Sequence, residues 1–153
     1  MTPEERLAEL GLRLPDVVPP LAAYVPAVRS GDLVFTAGQI PLRDGHLVAT
    51  GRVGESVSAE QARECAQQCA LNALAAVASV ADGGLAAIQQ IVKVVVYVAG
   101  TADFTGQPAV ANGASELMGA VFGAAGGHAR SAVGVASLPM DAPVEVELVA
   151  RVG

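Results

Sequence analysis

The stretch GHARSAVGVASLPMDAPVEVELVARV (residues 127–152) decides how the chain folds. Its first part alternates: Ser131, Val133 and Val135 point one way, and Arg130, Ala132, Gly134 and Ala136 the other. Its last part alternates as well and sets Glu145 and Glu147 between valines. Two alternating runs joined by a proline-containing loop read as a hairpin. Such a hairpin places one long cation, Arg130, beside some of the smallest side chains available. Its return arm carries two carboxylates.

Working outward, AVANGASELMGAVFG (residues 109–123) reads as a helix ended by Gly123, and QQIVKVVVYVA (residues 89–99) as the strongest strand. In that strand Val92, Val94, Val96 and Val98 are expected to meet the helices. Ile91, Val95 and Tyr97 would then line the opposite side around Lys93. A long helix precedes the strand, capped by Ser58 with Gln61 completing a capping box and stopped by Gly83-Gly84. Its inward stripe runs from Ala62 through Cys65, Cys69 and Ala73 to Val77 and Val80. VPAVRSGDLVFTAGQIP reads as a hairpin turning at SGD, and LRDGHLVATGRVG as turn and loop around Asp44-Gly45. TPEERLAELGL reads as a short helix capped by Thr2 and Glu5, followed by the extended, proline-rich connector RLPDVVPPLAAY. The resulting order is ββ, helix, strand, helix, ββ. It predicts an α+β fold with an antiparallel-rich sheet and two helices on one face. The sheet's second face is too apolar to stay wet, so an oligomer is expected to cover it.

The composition fits one globular domain of 153 residues, with 52% hydrophobic and 16% charged residues. Aromatic residues make up only 3%, so small side chains must build the core. A net charge of −6 argues against holding nucleic acid by phosphate neutralisation. An anionic ligand would be held by one or two local cations instead. No apolar stretch is long enough to span a bilayer, and the N-terminus starts with acids where a signal peptide has bases. These features predict a cytoplasmic protein without membrane contact. Cys65 and Cys69 share a helix face with no histidine or second cysteine pair nearby, so they read as small buried residues and no metal site is expected.

Arg130 offers a permanently charged fork that matches a carboxylate, or else makes a rim salt bridge to Glu145 or Glu147 across the hairpin. A carboxylate such as Glu145 can orient and deprotonate water, and Glu147 is its rival on the same face. His128 could act as a base, but no serine-base-acid order or metal-ligand spacing accompanies it, so it reads as a loop histidine. FGAAGGHA runs from helix to strand, the reverse of a phosphate-cradling loop. Of the two tyrosines, Tyr24 either leans over a pocket or packs with its hydroxyl at the surface.

At this point the motifs resemble a known family. ARSAVGVASLPMDAPVEVE is similar to the signature of the RidA/YjgF family, the reactive intermediate deaminases also labelled endoribonuclease L-PSP and translation initiation inhibitor. GDLVFTAGQIP resembles that family's second strand, and VKVVVYVAGTADF its central strand. The resemblance runs from Tyr24 to Val152. It implies a chorismate-mutase-like (YjgF-like) domain at residues 24–153, preceded by an N-terminal helix and connector at 1–23. It further implies a homotrimer with pockets between subunits. The implied reaction is hydrolysis of small 2-imino and enamino acids to 2-keto acids and ammonia, without metal or organic cofactor. Arg130 matches the arginine that grips the substrate carboxylate, and Glu145 the glutamate that positions water. Tyr24 matches the pocket tyrosine and Gly38 a glycine whose backbone lines the site. Asn112 matches a pocket asparagine once one residue is inserted before ARS. Ala132 stands at a cysteine position, where its backbone N–H would serve. Ala37 replaces the usual serine, and Gly134 a glutamate. Besides the hydrolase, two readings follow: a non-catalytic trimeric binder of a small carboxylate metabolite and, disfavoured by the charge, an endoribonuclease.

Overall fold

The helices begin where the sequence supplies caps. Helices α1 (Pro3–Glu9) and α2 (Ala59–Val80) each start on a complete capping box, Thr2 with Glu5 and Ser58 with Gln61. Helix α3 (Gln107–Phe122) starts without a side-chain cap, has proline in its first turn, and ends at Gly123. The computed structural model describes residues 1–153. Its strands are β1 (Ala27–Ser30), β2 (Leu33–Thr36), β3 (Leu42–Arg43), β4 (His46–Leu47), β5 (Ile88–Ala99), β6 (Ala129–Val135) and β7 (Val144–Val152). Five of them form one sheet in the order β1-β2-β7-β5-β6. Strands β3 and β4 form a separate hairpin, turning where Asp44 and Gly45 take φ of 53° and 82°. The sequence reading had only turn and loop there.

The hairpin expected over the C-terminal stretch does not form. Strand β6 runs parallel to β5, while β7 pairs antiparallel with the other edge of β5. Connectivity explains this. Helix α3 returns the chain to the end where β5 began, so β6 must run parallel to β5. Strand β7 then takes the edge of β5 that is still free. Residues 136–143 carry the chain across, and the Ala99 N–H donates to the Pro143 carbonyl (2.9 Å) where they pass the end of β5. Strand β7 also pairs with β2 and so lies inside the sheet. The sheet is mixed, with β5–β6 its parallel pair.

Strand β5 departs from simple alternation as well. Its pairing with β7 slips between Ile88 and Gln90 and again between Ile91 and Lys93. An extra residue of this kind resets the alternation of faces. Ile91 therefore enters the core and Val92 is 38% exposed, the reverse of the expected order. Beyond the bulge the pattern holds. Val94, Val96 and Val98 are buried under the helices, and Lys93, Val95 and Tyr97 occupy the outer face.

One core joins the inner sheet face to α2 and α3. Helix α2 is buried well beyond its predicted stripe, and includes Gln68 and Asn72. Their polar groups are satisfied: Asn72 Nδ2 donates to the carbonyls of Ile40 (3.1 Å) and Leu42 (3.0 Å), and Gln68 Nε2 to Asn72 Oδ1 (3.1 Å). These bonds dock the β3–β4 hairpin on α2. Cys65 and Cys69 are free and buried, and burial pushes the Cys65 thiol up to about 11 and raises Cys69 as well. Helices α2 and α3 touch closely at Gly113, where a Cβ would collide with the Arg63 carbonyl oxygen. Helix α1 adds Leu7 to the core, and Arg6 Nη1 donates to the Val121 carbonyl (3.3 Å). The outer sheet face carries exposed apolar side chains: Val28 at 53%, Phe35 at 45% and Val133 at 43%.

Candidate functional site

Cross-strand partners share a face, so the register locates each candidate. Arg130, Ala132 and Gly134 stand opposite Val94, Val96 and Val98, on the helix side of the edge strand β6. Arg130 is half-buried, and its Nη1 donates to Asn112 Oδ1 (2.7 Å) and Ser115 Oγ (3.2 Å), both on α3. Ser115 Oγ lies 2.9 Å from His128 Nε2, and His128 Nδ1 lies 2.6 Å from the Gly126 carbonyl. A carbonyl only accepts, so a neutral His128 carries its proton on Nδ1 and accepts from Ser115 at Nε2. His128 sits in the loop before β6, as the sequence suggested, and there joins an ordered chain of donors. The space beside the small residues near Arg130 is partly filled. At Gly134 the Gln107 amide fills the space, 3.1 Å from where a Cβ would sit.

Glu145 lies on the other side. It stands opposite Tyr97, which in turn faces Val133, on the outer face. Glu147 stands opposite Val95, one step along the same face. The Tyr97 hydroxyl donates to Glu147 Oε1 (2.5 Å), and this bond foremost pushes Tyr97 up to about 12. Glu145 accepts no hydrogen bond from the chain, and its pKa is raised by burial first and the Glu147 carboxylate second. The structure therefore separates the two rivals: Glu147 is tied to Tyr97 and Glu145 is free. Gly38 packs on Glu145 so closely that a Cβ there would collide with its carboxylate. The neighbouring Gln39 holds that backbone in place through paired bonds with Val146 (2.8 and 2.9 Å).

The structure thus joins Arg130 with Asn112, and Gly38 with Glu145, but keeps the two pairs apart. Arg130 and Glu145 are two strands and three residues out of step, roughly 14 Å between Cα atoms by strand spacing. Their side chains leave opposite faces. The salt bridge between them considered from the sequence is absent; the ion pairs are Arg43–Glu64 (3.7 Å) and Arg63–Glu116. Tyr24 is 45% exposed, and its hydroxyl accepts from the Leu21 N–H (3.1 Å). Ala132 is half-buried and packs on the core. A cavity of about 610 Å³ between residues 11–19, the β3–β4 turn and α2 contains none of these candidates. No group of three metal-ligating side chains forms, and no helix is long and apolar enough to cross a membrane. The sequence reading missed Ser115. Nothing local marks it, because its partners lie 13 and 15 residues away on the next strand and its approach.

Known proteins share this arrangement of elements. Residues 14–152 match the endoribonuclease L-PSP family. Protein TCP17 of Trypanosoma cruzi is 41% identical over 142 residues, which cover 92% of this chain and 88% of that protein. The 2-iminobutanoate/2-iminopropanoate deaminase of Salmonella typhimurium is 34% identical over 130 residues, 85% of this chain and 88% of the deaminase. A crystal structure of a protein of unknown function from Agrobacterium tumefaciens superposes with a TM-score of 0.93 at 41% identity, covering 99% of this chain and 94% of that one. The chain belongs to the endoribonuclease L-PSP family, the RidA/YjgF proteins.

Proposed function

We infer that this protein hydrolyses small 2-imino and enamino acids to 2-keto acids and ammonia in a pocket shared by two copies of the chain. One observation carries the reading: Arg130 and Glu145 sit on opposite faces of one sheet. A ligand carboxylate on Arg130 can meet only the Glu145 of another copy. The exposed Val28, Phe35 and Val133 give the outer face a reason to be covered, and a homotrimer would close it. Residues 24–153 form the pocket-bearing domain on this reading, with 1–23 as an addition to it. The 34% identity to an imine deaminase supports the substrate class.

Each residue then has a task. Asn112 and Ser115 occupy Nη1 of Arg130 and fix its plane, leaving Nε and Nη2 for the two oxygens of a carboxylate. Glu145, raised by burial and by Glu147, takes a proton from water as its oxygen bonds to the imine carbon. Glu145 returns that proton to the nitrogen. The hydroxyl proton then passes to the departing nitrogen as the C–N bond breaks and the C=O bond forms, which releases ammonia and the keto acid. Gly38 lets the backbone approach the reacting centre, Ala132 contributes through its backbone N–H, and Tyr24 closes the rim. No step calls for a metal or organic cofactor. The test couples the protein to a pyridoxal-phosphate threonine dehydratase and traps released imine with semicarbazide. Wild type should lower the trapped imine and Arg130→Ala should not; a wild type without effect contradicts the reading.

Ala37 favours a second reading. It puts a methyl group next to Gly38, where the family motif resembled above usually has a hydroxyl. A pocket with fewer polar contacts could bind a small carboxylate without turning it over. Calorimetry with 2-keto acids, run beside the imine trap, separates binding from turnover. RNA cleavage is the weakest reading, since a net charge of −6 offers no phosphate-binding field.

A further inference from the structure

The geometry points to a second chemistry on the helix side of the sheet: Ser115 is a nucleophile activated by His128, in an acyl-transfer site for small esters that carry a carboxylate. Three features place it there. First, the bonds run in one direction, from the Ser115 hydroxyl to His128 Nε2 (2.9 Å) and from His128 Nδ1 to the Gly126 carbonyl (2.6 Å). This is a nucleophile, a base and a group that orients the base. Second, Arg130 Nη1 donates to Ser115 Oγ (3.2 Å), which favours the ionised oxygen and puts a cation where the carbonyl oxygen of a bound ester would gain charge. Third, the group opens onto a shallow cleft of about 470 Å³ whose remaining walls are the small residues Gly119, Gly123, Ala124, Gly126 and Gly127.

A second cation defines the substrate class. Arg6, on α1, stands beside Gly123 of the cleft wall: its Nη1 donates to the Val121 carbonyl (3.3 Å) and lies 3.4 Å from where a Cβ on Gly123 would sit. With Arg130 at the reacting carbonyl, the charge of Arg6 beyond Gly123 favours a carboxylate on the far end of the acyl chain. In the first step Ser115 Oγ bonds to the ester carbon and its proton passes to His128 Nε2. The ester C–O bond breaks and the alcohol leaves with that proton. Water then attacks the acyl-serine, delivers a proton through His128, and releases the acid. The inference shares Arg130 with the imine reading but does not rest on it.

The test treats wild-type protein with a fluorophosphonate and maps the adduct by peptide mass. A stoichiometric adduct on Ser115 is expected. No adduct, or one on another residue, overturns the inference, because a serine that merely ties α3 to the loop before β6 would not react. Hydrolysis of 4-nitrophenyl hydrogen succinate gives the second readout. Ser115→Ala should abolish it, His128→Ala should lower it by about 10²-fold or more, and Arg6→Ala should slow it relative to 4-nitrophenyl acetate. Unchanged hydrolysis in a folded Ser115→Ala protein overturns the inference as well. Should that variant fail to fold, the adduct map on wild type decides alone.

Discussion

The two faces of the central sheet differ in how completely the chain finishes them. On the inner face Val94, Val96, Val144 and Val146 are fully buried under α2 and α3. On the outer face Phe35 and Val133 remain over 40% exposed beside the Tyr97–Glu147 pair and the desolvated Glu145. The inner face holds Arg130 with its supports on α3; the outer face holds Glu145 against Gly38. One face is a finished core and the other leaves apolar side chains exposed. The candidate residues are divided between them, and the proposed reading takes each face as half of a site.

Several substitutions put this contrast to the test. The largest effect belongs to Glu145→Gln, which should lower imine turnover by about 10²–10⁴-fold and leave keto-acid binding in place, read by semicarbazide trapping and calorimetry. Arg130→Ala should lose the binding itself. Next, Leu148→Ala empties a finished face, where the side chain is 2% exposed. Denaturant unfolding should show a loss of about 2–5 kcal/mol. Val133→Asp makes the opposite change on the unfinished face. Sedimentation should show the assembly falling to single chains whose circular dichroism is unchanged; an unaltered mass would remove the contrast.

The smallest effects are titrations. The folded carboxyl of Glu145 holds its proton more tightly than the ordinary value of 4.5. Its contribution to stability is therefore complete below pH 4.5 and lost as pH rises through the folded pKa. Glu145→Gln should then unfold at a higher temperature than wild type at neutral pH, with the gain vanishing below pH 4.5. Tyr97→Phe should delete an ionisation near pH 12 from the ultraviolet titration of the folded protein.

What the sequence revealed was local. Thr2 with Glu5, Ser58 with Gln61, the stop at Gly123 and the run of β5 are fixed within a few residues, and the structure keeps them. Pairing is a different matter. Alternation in β6 and β7 says which side chains share a face and nothing about which strand lies beside them. The parallel crossover through α3 decides that instead. The bulge in β5 was hidden for a related reason, since Ile91 and Val92 are both apolar and either could face the core. The candidate site residues were singled out through their motifs. Ser115 was not, because packing α3 on β6 is what brings it to Arg130 and His128.

The two-copy site requires one copy's Arg130 to work with another copy's Glu145, and assemblies mixed from two variants reveal whether it does. Arg130→Ala and Glu145→Gln chains, each inactive alone, would be co-refolded so that copies assemble at random. In a trimer with pockets between neighbours, about one quarter of the pockets receive both intact residues, and that share of wild-type imine hydrolysis should return. Mixed assemblies, verified by native mass spectrometry, that stay inactive would mean both residues must come from one chain, and the two-copy site would be wrong.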